Sequence, residues 1–224
     1  MNEGKERIAV VGGTGTLGNA MALRLARAGH AVIIGSRDAA KADAVARALN
    51  AALGRAAVSA AQNLAAAQAG ELVILAVPYA AQRATVEEIR DALPGKILVD
   101  ATAPVVPPQL ARVQLPAGGS AVAAIQALLG ERVRVVSAFQ NVSAQKLKSA
   151  EARIAGDVLV CADDRDARAH VIALADAIGL RGIDAGPIAN SAAAEALTSV
   201  LIGINRRYKV PGSGIRIVGI DDEA

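Results

Sequence analysis

Val10-Val11-Gly12-Gly13-Thr14-Gly15-Thr16-Leu17-Gly18 follows a short apolar run, Ile8 to Val11, and leads into an amphipathic stretch, Asn19 to Ala28, that stops at Gly29. A Gly-x-Gly-x-x-Gly pattern between a strand and a helix is the context in which a dinucleotide binds. Gly13 is expected to make the tight turn and Gly15 to let the backbone approach a pyrophosphate. Gly18 is expected to let the helix lie close on its strand. The phosphates would then sit on the unpaired N–H groups of the helix N-terminus, where the dipole favours negative charge. The same spacing serves flavin and S-adenosylmethionine sites, so the flanking strand and helix carry the reading.

The second strand speaks to which dinucleotide. Ala31 to Ile34 reads as a buried strand whose exit is Gly35-Ser36-Arg37, with Lys41 a helical turn further on. A chain selective for NAD normally has Asp or Glu at this exit to hold the ribose 2′-hydroxyl. Here a hydroxyl and a guanidinium stand instead, and Arg can hold a 2′-phosphate through paired N–H donors. Asp38 is read as the N-cap of a helix from Ala39 to about Ala52. Arg37 and Lys41 as plain solvated charges is the alternative. It is the weaker one, because cations near a helix N-terminus oppose its dipole. NADP(H) is therefore expected over NAD(H).

Bulk properties narrow the class. A chain of 224 residues suits one large domain, or a domain with a small lobe. It is 53% hydrophobic but 1% aromatic, with no Trp and a single Phe, Phe139. Stacking on nucleic-acid bases is not expected from such a composition, and a formal net charge of +3, spread along the chain, provides no basic patch. The single Cys, Cys161, reads as a small apolar residue closing a buried strand, and no metal-ligand cluster accompanies it. The start, Met1 to Arg7, is polar, and no window approaches the roughly 18 apolar residues of a membrane span. A cytoplasmic protein with no membrane or nucleic-acid partner is expected.

Short apolar runs alternate with Ala-rich helical stretches, the signature of a parallel sheet covered on both faces. Strands are expected near Ala56–Ser59 and over Leu72–Val77, Ile97–Asp100 and Val133–Ala138, with helices at Asn63–Gln68, Ala81–Leu93 and Ala121–Leu129. Val105 to Ser120, with Pro107, Pro108, Pro116 and Gly118-Gly119, reads as an irregular loop over the cleft. Beyond it come a strand at Asp157–Cys161, a helix capped by Asp163, and a strand at Leu180–Asp184. A long helix from Asn190-Ser191 to about Tyr208 and a last strand at Ile215–Ile220 complete the chain. The fold class is α/β, a Rossmann-type doubly wound parallel sheet with a smaller C-terminal α/β lobe. Residues 1–139 are assigned to NADP binding, and residues 140–224 to the smaller lobe completing an acceptor cleft.

A reductase of alcohols or ketones needs a proton donor beside the hydride path. No Tyr-x-x-x-Lys is present, His30 precedes the second strand, His170 falls mid-helix, and Lys96 lies at the wrong end of its strand. No catalytic side chain is expected. That absence suits an electron carrier whose ring accepts hydride and delocalises the charge, leaving the protein to align two rings. Ala76, Ala101, Ala103 and Ala138 at strand ends would let rings approach closely, although Ala-rich composition explains them equally well.

The chain resembles the NADPH-dependent reductases of the 5-deazaflavin coenzyme F420. The resemblance rests on Val10–Gly18, Ala22-Leu23-Arg24-Leu25-Ala26, Gly29-His30, Gly35-Ser36-Arg37, Lys41-Ala42, Val77-Pro78 and Val136-Ser137-Ala138. More particular are Asp184-Ala185-Gly186-Pro187, Asn190-Ser191 and Glu195-Ala196-Leu197-Thr198 at the far end. It implies NADP(H) on the carboxyl edge, with Thr14, Ser36, Arg37 and Lys41 around the 2′-phosphate. Thr16 and Leu17 would meet the pyrophosphate, with Gly13 and Gly15 beneath it, and Val77, Pro78, Ala101, Ala103 and Ala138 would lie along the cofactor. Coenzyme F420, as co-substrate, would be bordered by Gln140, Asn141, Val142, Thr198, Ser213 and Gly214. The resemblance also implies a homodimer. Where such proteins often carry a His near the deazaflavin, this chain has Phe139-Gln140-Asn141, and a Ser of some members is Ala196. Both departures fall on the acceptor side. A reductase of a flavin or other small acceptor, or a non-catalytic NADPH-sensing module, therefore stands as an alternative.

Overall fold

Alternation along the first strand, β1 (Arg7–Val11), sets the architecture: Ile8 and Val10 enter one apolar cluster, Ala9 and Val11 the other. A strand buried on both faces needs helices on both sides. The computed structural model describes residues 5–220; the first four residues of the polar start and the last four of the C-terminal segment lie outside them. Six strands form a parallel sheet: β1, β2 (Ala31–Ser36), β3 (Val58–Gln62), β4 (Leu72–Leu75), β5 (Ile97–Asp100) and β6 (Arg134–Ser137). Their order is β3-β2-β1-β4-β5-β6, the doubly wound arrangement with its switch point between β1 and β4.

The helices divide between the faces. Helices α1 (Thr16–Arg27) and α2 (Ala39–Leu53) cover one, through Met21, Leu25 and Leu49. Helices α3 (Asn63–Ala69), α4 (Tyr79–Ile89) and α5 (Ala121–Leu129) cover the other, through Ala66, Ile89 and Ile125. Asp38 caps α2, its carboxylate accepting from Lys41 N–H at 3.0 Å, as expected. Lys96 is structural: its ammonium donates to the Ala67 and Gly70 carbonyls, both at 2.6 Å, and so closes the end of α3.

Downstream, α6 (Ala144–Leu147) leads to a two-stranded parallel sheet, β7 (Asp157–Val160) and β8 (Arg181–Asp184), joined through α7 (Arg165–Ala177). An isolated bridge between Ser137 and Cys161 ties the two sheets together. Phe139, Leu147, Ile154, Val158 and Leu174 belong to the same apolar cluster as Ile8, Met21 and Ile34, so one interior runs beneath both sheets. The last helix, α8 (Ser191–Tyr208), returns to pack against α5. Cys161 is fully buried, and burial pushes its thiol up to about 11.

Three expectations are corrected. The α7 cap is Asp164, which accepts from Ala167 N–H at 2.7 Å; its neighbour Asp163 instead accepts from Ile188 N–H at 3.0 Å. Strand β4 ends at Leu75, two residues early, where the chain leaves the sheet to approach the glycine turn. Ile215–Ile220 forms no strand. It is an irregular strap with one backbone bond, Asp157 N–H to the Ile215 carbonyl at 2.9 Å, and side-chain ties: the Asp157 carboxylate accepts from Ile217 N–H at 2.5 Å, and Arg181 donates to the Ile217 carbonyl at 2.7 Å. Asp157 and Arg181 also form a paired contact, 2.7 Å on each oxygen. Burial alone would raise the Asp157 carboxyl, but Arg181 and the Ile217 N–H outweigh it and hold it below its ordinary value.

Candidate functional site

The turn after β1 is tighter than the motif alone suggests. The residue with left-handed backbone is Gly12, at φ +80°, not Gly13. A Cβ on Gly12 would lie 2.6 Å from the Ala76 carbonyl oxygen, so only glycine fits beside the β4 exit. Gly13 is needed for close approach instead: its Cβ would stand 2.8 Å from the Val10 oxygen. Gly18 lies against the turn as expected, with a Cβ there meeting the Gly12 oxygen at 2.5 Å. The Gly15 N–H is spent on Gly12 O at 2.9 Å. The donors left at the start of α1 are therefore the N–H groups of Thr16, Leu17 and Gly18, which have no acceptor within the helix. No side chain caps that end, and its first turn holds no acid. Such an end attracts an anion.

Above this turn a cleft of about 150 Å³ is bordered by Gly12, Thr14, Gly15, Ser36, Arg37, Ala76, Val77 and Pro78. Asn63, Ala81 and Thr85 close its far wall. Ser36 is buried, its hydroxyl accepting from Asp38 N–H at 3.2 Å, while Arg37 is exposed. Among the described residues neither the Arg37 guanidinium nor the Lys41 ammonium has a hydrogen-bond or ion-pair partner. Lys41 does not border the cleft itself but stands one turn along α2. Gly13, Thr16 and Leu17 lie in its floor-forming turn and helix start. Ala101, Ala103 and Ala138 sit further along the edge, outside the residues bordering the cleft.

A second cavity of about 110 Å³ opens beside the β6 exit, bordered by Gln140, Asn141, Val142, Thr198 and Ser213, five residues that sequence places around the acceptor. Gly214 borders a narrow slot next to it. Leu201, Ile202 and Asn205 also line the cavity and escaped the sequence reading. With Thr198, which the family resemblance marks, they fall at i, i+3, i+4 and i+7 of α8, one face of a helix, so helical spacing extends that mark to them. The Thr198 hydroxyl donates to the Gln140 carbonyl at 2.8 Å, and Asn205 Oδ1 accepts from Ser213 N–H at 2.7 Å.

Between the cavities lies a buried polar hub that sequence did not reveal. Gln140 Nε2 donates to the Asp100 carbonyl at 2.7 Å and to Ser137 Oγ at 2.9 Å. The Asp100 carboxylate, wholly buried, accepts from Gln82 Nε2 at 2.6 Å and from Thr102 N–H at 2.9 Å. Burial raises the Asp100 carboxyl to about 6, more than these donors lower it. Phe139, fully buried, takes φ +74° between β6 and Gln140, a strained conformation for a side chain of that size.

A sign follows for stability. A carboxyl whose folded value lies above its unfolded value of about 3.9 binds its proton more tightly in the native state. Its contribution therefore weakens stability as pH rises from about 4 through 6. Asp100→Asn, which keeps an acceptor for Thr102 N–H and presents its Nδ2 to a Gln82 carboxamide turned to offer Oε1, is expected to flatten that part of the stability profile. Its Tm at pH 8 should be no lower than that of the unsubstituted chain. Denaturation followed across this pH range checks it, and a parallel profile for both proteins would refute it.

A doubly wound sheet with an uncapped helix start and unpaired cations past β2 defines a Rossmann-type dinucleotide-binding protein. The comparisons are more specific. The profile of the family described as NADP oxidoreductase, coenzyme F420-dependent, matches residues 7–104. The F420-dependent NADP reductase of Methanocaldococcus jannaschii is 38% identical over 223 residues, covering 96% of this chain and 99% of the relative. That of Methanothermobacter marburgensis is 39% identical over 223 residues, covering 96% and 100%. A crystal structure from Arthrobacter sp. FB24, provisionally assigned as an F420-dependent NADP-reductase, aligns with a TM-score of 0.79 at 31% identity, covering 95% of this chain and 99% of that one. The chain belongs to the F420-dependent NADP reductase family.

Proposed function

We propose that this chain is an oxidoreductase that transfers hydride between NADP(H) and coenzyme F420, residues 1–139 binding the nucleotide and residues 140–224 completing the acceptor cleft. The observation that carries the reading is the unpaired Arg37 guanidinium at the mouth of a cleft whose floor is the glycine turn. The residues fit the dinucleotide: glycines leave room for the backbone to approach it, the α1 start offers donors to a pyrophosphate, and Ser36, Arg37 and Lys41 suit a 2′-phosphate. When bound, the two rings supply the chemistry, hydride leaving nicotinamide C4 for the deazaflavin C5 with a proton taken up from solvent. The protein binds and aligns. Gln140 and Thr198 fix the backbone beside the second cavity, and no exposed acid or base is needed at the reacting carbons.

The family resemblance supports a homodimer, and α8 offers a surface for it. Val200, Ile204 and Tyr208, one above another on the helix, are exposed by 43, 37 and 70%. Among the described residues no helix is long and apolar enough to cross a membrane.

Rapid mixing of the protein and NADPH with F420, a flavin, or no acceptor, following the absorbance of the acceptor and of NADPH, tests the activity. Fast bleaching of F420 that requires the protein is expected. Turnover of the flavin alone would make this a flavin reductase, and binding of NADPH without any turnover a sensing module.

A further inference from the structure

The far wall of the nucleotide cleft holds an unsatisfied group. Asn63, first residue of α3, is 3% exposed and borders the cleft with Arg37, Ala81 and Thr85. Its Nδ2 donates to Glu88 Oε2 at 3.1 Å. An ionised carboxylate only accepts, so this contact fixes which way round the carboxamide sits. The opposite end, Oδ1, is shielded from water and has no donor among the described residues. A buried acceptor left without a partner is costly, and such groups in native proteins commonly mark a place for a ligand or water. Here the wall of a ligand cleft supplies the occasion.

Sheet order says which part of the nucleotide lies there. The glycine turn follows β1, Ser36-Arg37 follow β2, and Asn63 follows β3 at the sheet edge. A dinucleotide with its pyrophosphate on the turn and its ribose at the β2 exit carries its base outward to the β3 side. Ala81 and Thr85 of α4 are small enough to leave a slot for a planar base against that wall. We propose that Asn63 reads the base: its Oδ1 accepts a hydrogen bond from the exocyclic 6-amino group of adenine, with Glu88 holding the carboxamide in the reading orientation. The proposal rests on the NADP(H) assignment above. A hypoxanthine base, with a carbonyl oxygen in place of the amine, would set acceptor against acceptor.

The test compares equilibrium binding of NADPH and of its deamino analogue, in which hypoxanthine replaces adenine, read by the fluorescence of the reduced nicotinamide. In the unsubstituted protein the analogue should bind about tenfold or more weakly. Asn63→Ala should bring the ratio of the two affinities close to one. Glu88→Gln, a change at an exposed position, frees the carboxamide to turn and should also reduce the ratio. Equal binding of the two nucleotides by the unsubstituted protein overturns the proposal while leaving the dinucleotide site standing, and points to a ribose hydroxyl as the donor. Undiminished discrimination in Asn63→Ala overturns it as well. Failure of both nucleotides to bind removes the NADP(H) reading itself.

Discussion

Arg37→Asp is expected to weaken NADPH binding about a hundredfold while changing NADH binding by no more than about threefold. The guanidinium has no partner among the described residues, so its removal breaks no contact of the fold. What changes is the field at the β2 exit. Two charge-assisted donors are lost and a carboxylate is placed where a 2′-phosphate would sit, while a bare ribose diol would be accepted more readily. Titration of both reduced nucleotides measures it. Parallel losses for the two would refute the phosphate assignment and leave Arg37 a general electrostatic contributor.

Glu195→Ala is expected to lower the Tm by about 10 °C. Glu195, in α8, is 1% exposed and accepts from the Ser120 hydroxyl at 2.7 Å, Ala121 N–H at 2.8 Å and Val122 N–H at 3.1 Å. It thus caps α5 from a helix 74 residues away in sequence. Its charge also suits the positive end of the α5 dipole. Truncation strands the Ala121 and Val122 N–H groups, while the Ser120 hydroxyl can turn to Ser191 Oγ at 2.6 Å; the loss is about 3–5 kcal/mol, which for a chain of this size is about 2–4 °C for each kcal/mol. Calorimetry decides it: a Tm within about 2 °C of the unsubstituted protein would mean that water replaces the carboxylate at little cost.

How much of this was legible in the sequence depends on where the determining contacts lie. Ile97–Asp100 and Ala121–Leu129 have the same bounds in the structure as in the sequence reading, because an apolar run or a capped amphipathic stretch is a local signal. The glycine doublet was not resolvable locally. Either Gly12 or Gly13 could take the positive φ, and the Ala76 carbonyl, brought in by β4, decides for Gly12. Asp163 and Asp164 are both good caps, and the choice is made by Ile188 N–H, which engages the first. Ile215, Ile217 and Val218 are strand-like residues, but beside β7 the segment makes one backbone bond, from Asp157 N–H to Ile215 O, and its Ile217 backbone is then taken by the Asp157 and Arg181 side chains. In the candidate site the residues flanking the glycine turn and the β2 exit were readable from spacing. Asp100, Gln82, Asn63 and Glu195 were not, since a buried polar residue has no periodicity and is explained only by partners distant in the chain.

Phe139, Leu147, Val158 and Leu174 share an interior with Ile8, Met21 and Ile34. The nascent protein consequently cannot complete its first half as it leaves the ribosome: until residues beyond about 175 have emerged, the α1 side of the main sheet presents a greasy, unfinished surface. Chaperone capture during synthesis should therefore concentrate on that surface, and genetic fusions or splits placed near residue 140 should yield insoluble fragments unless both pieces are made together.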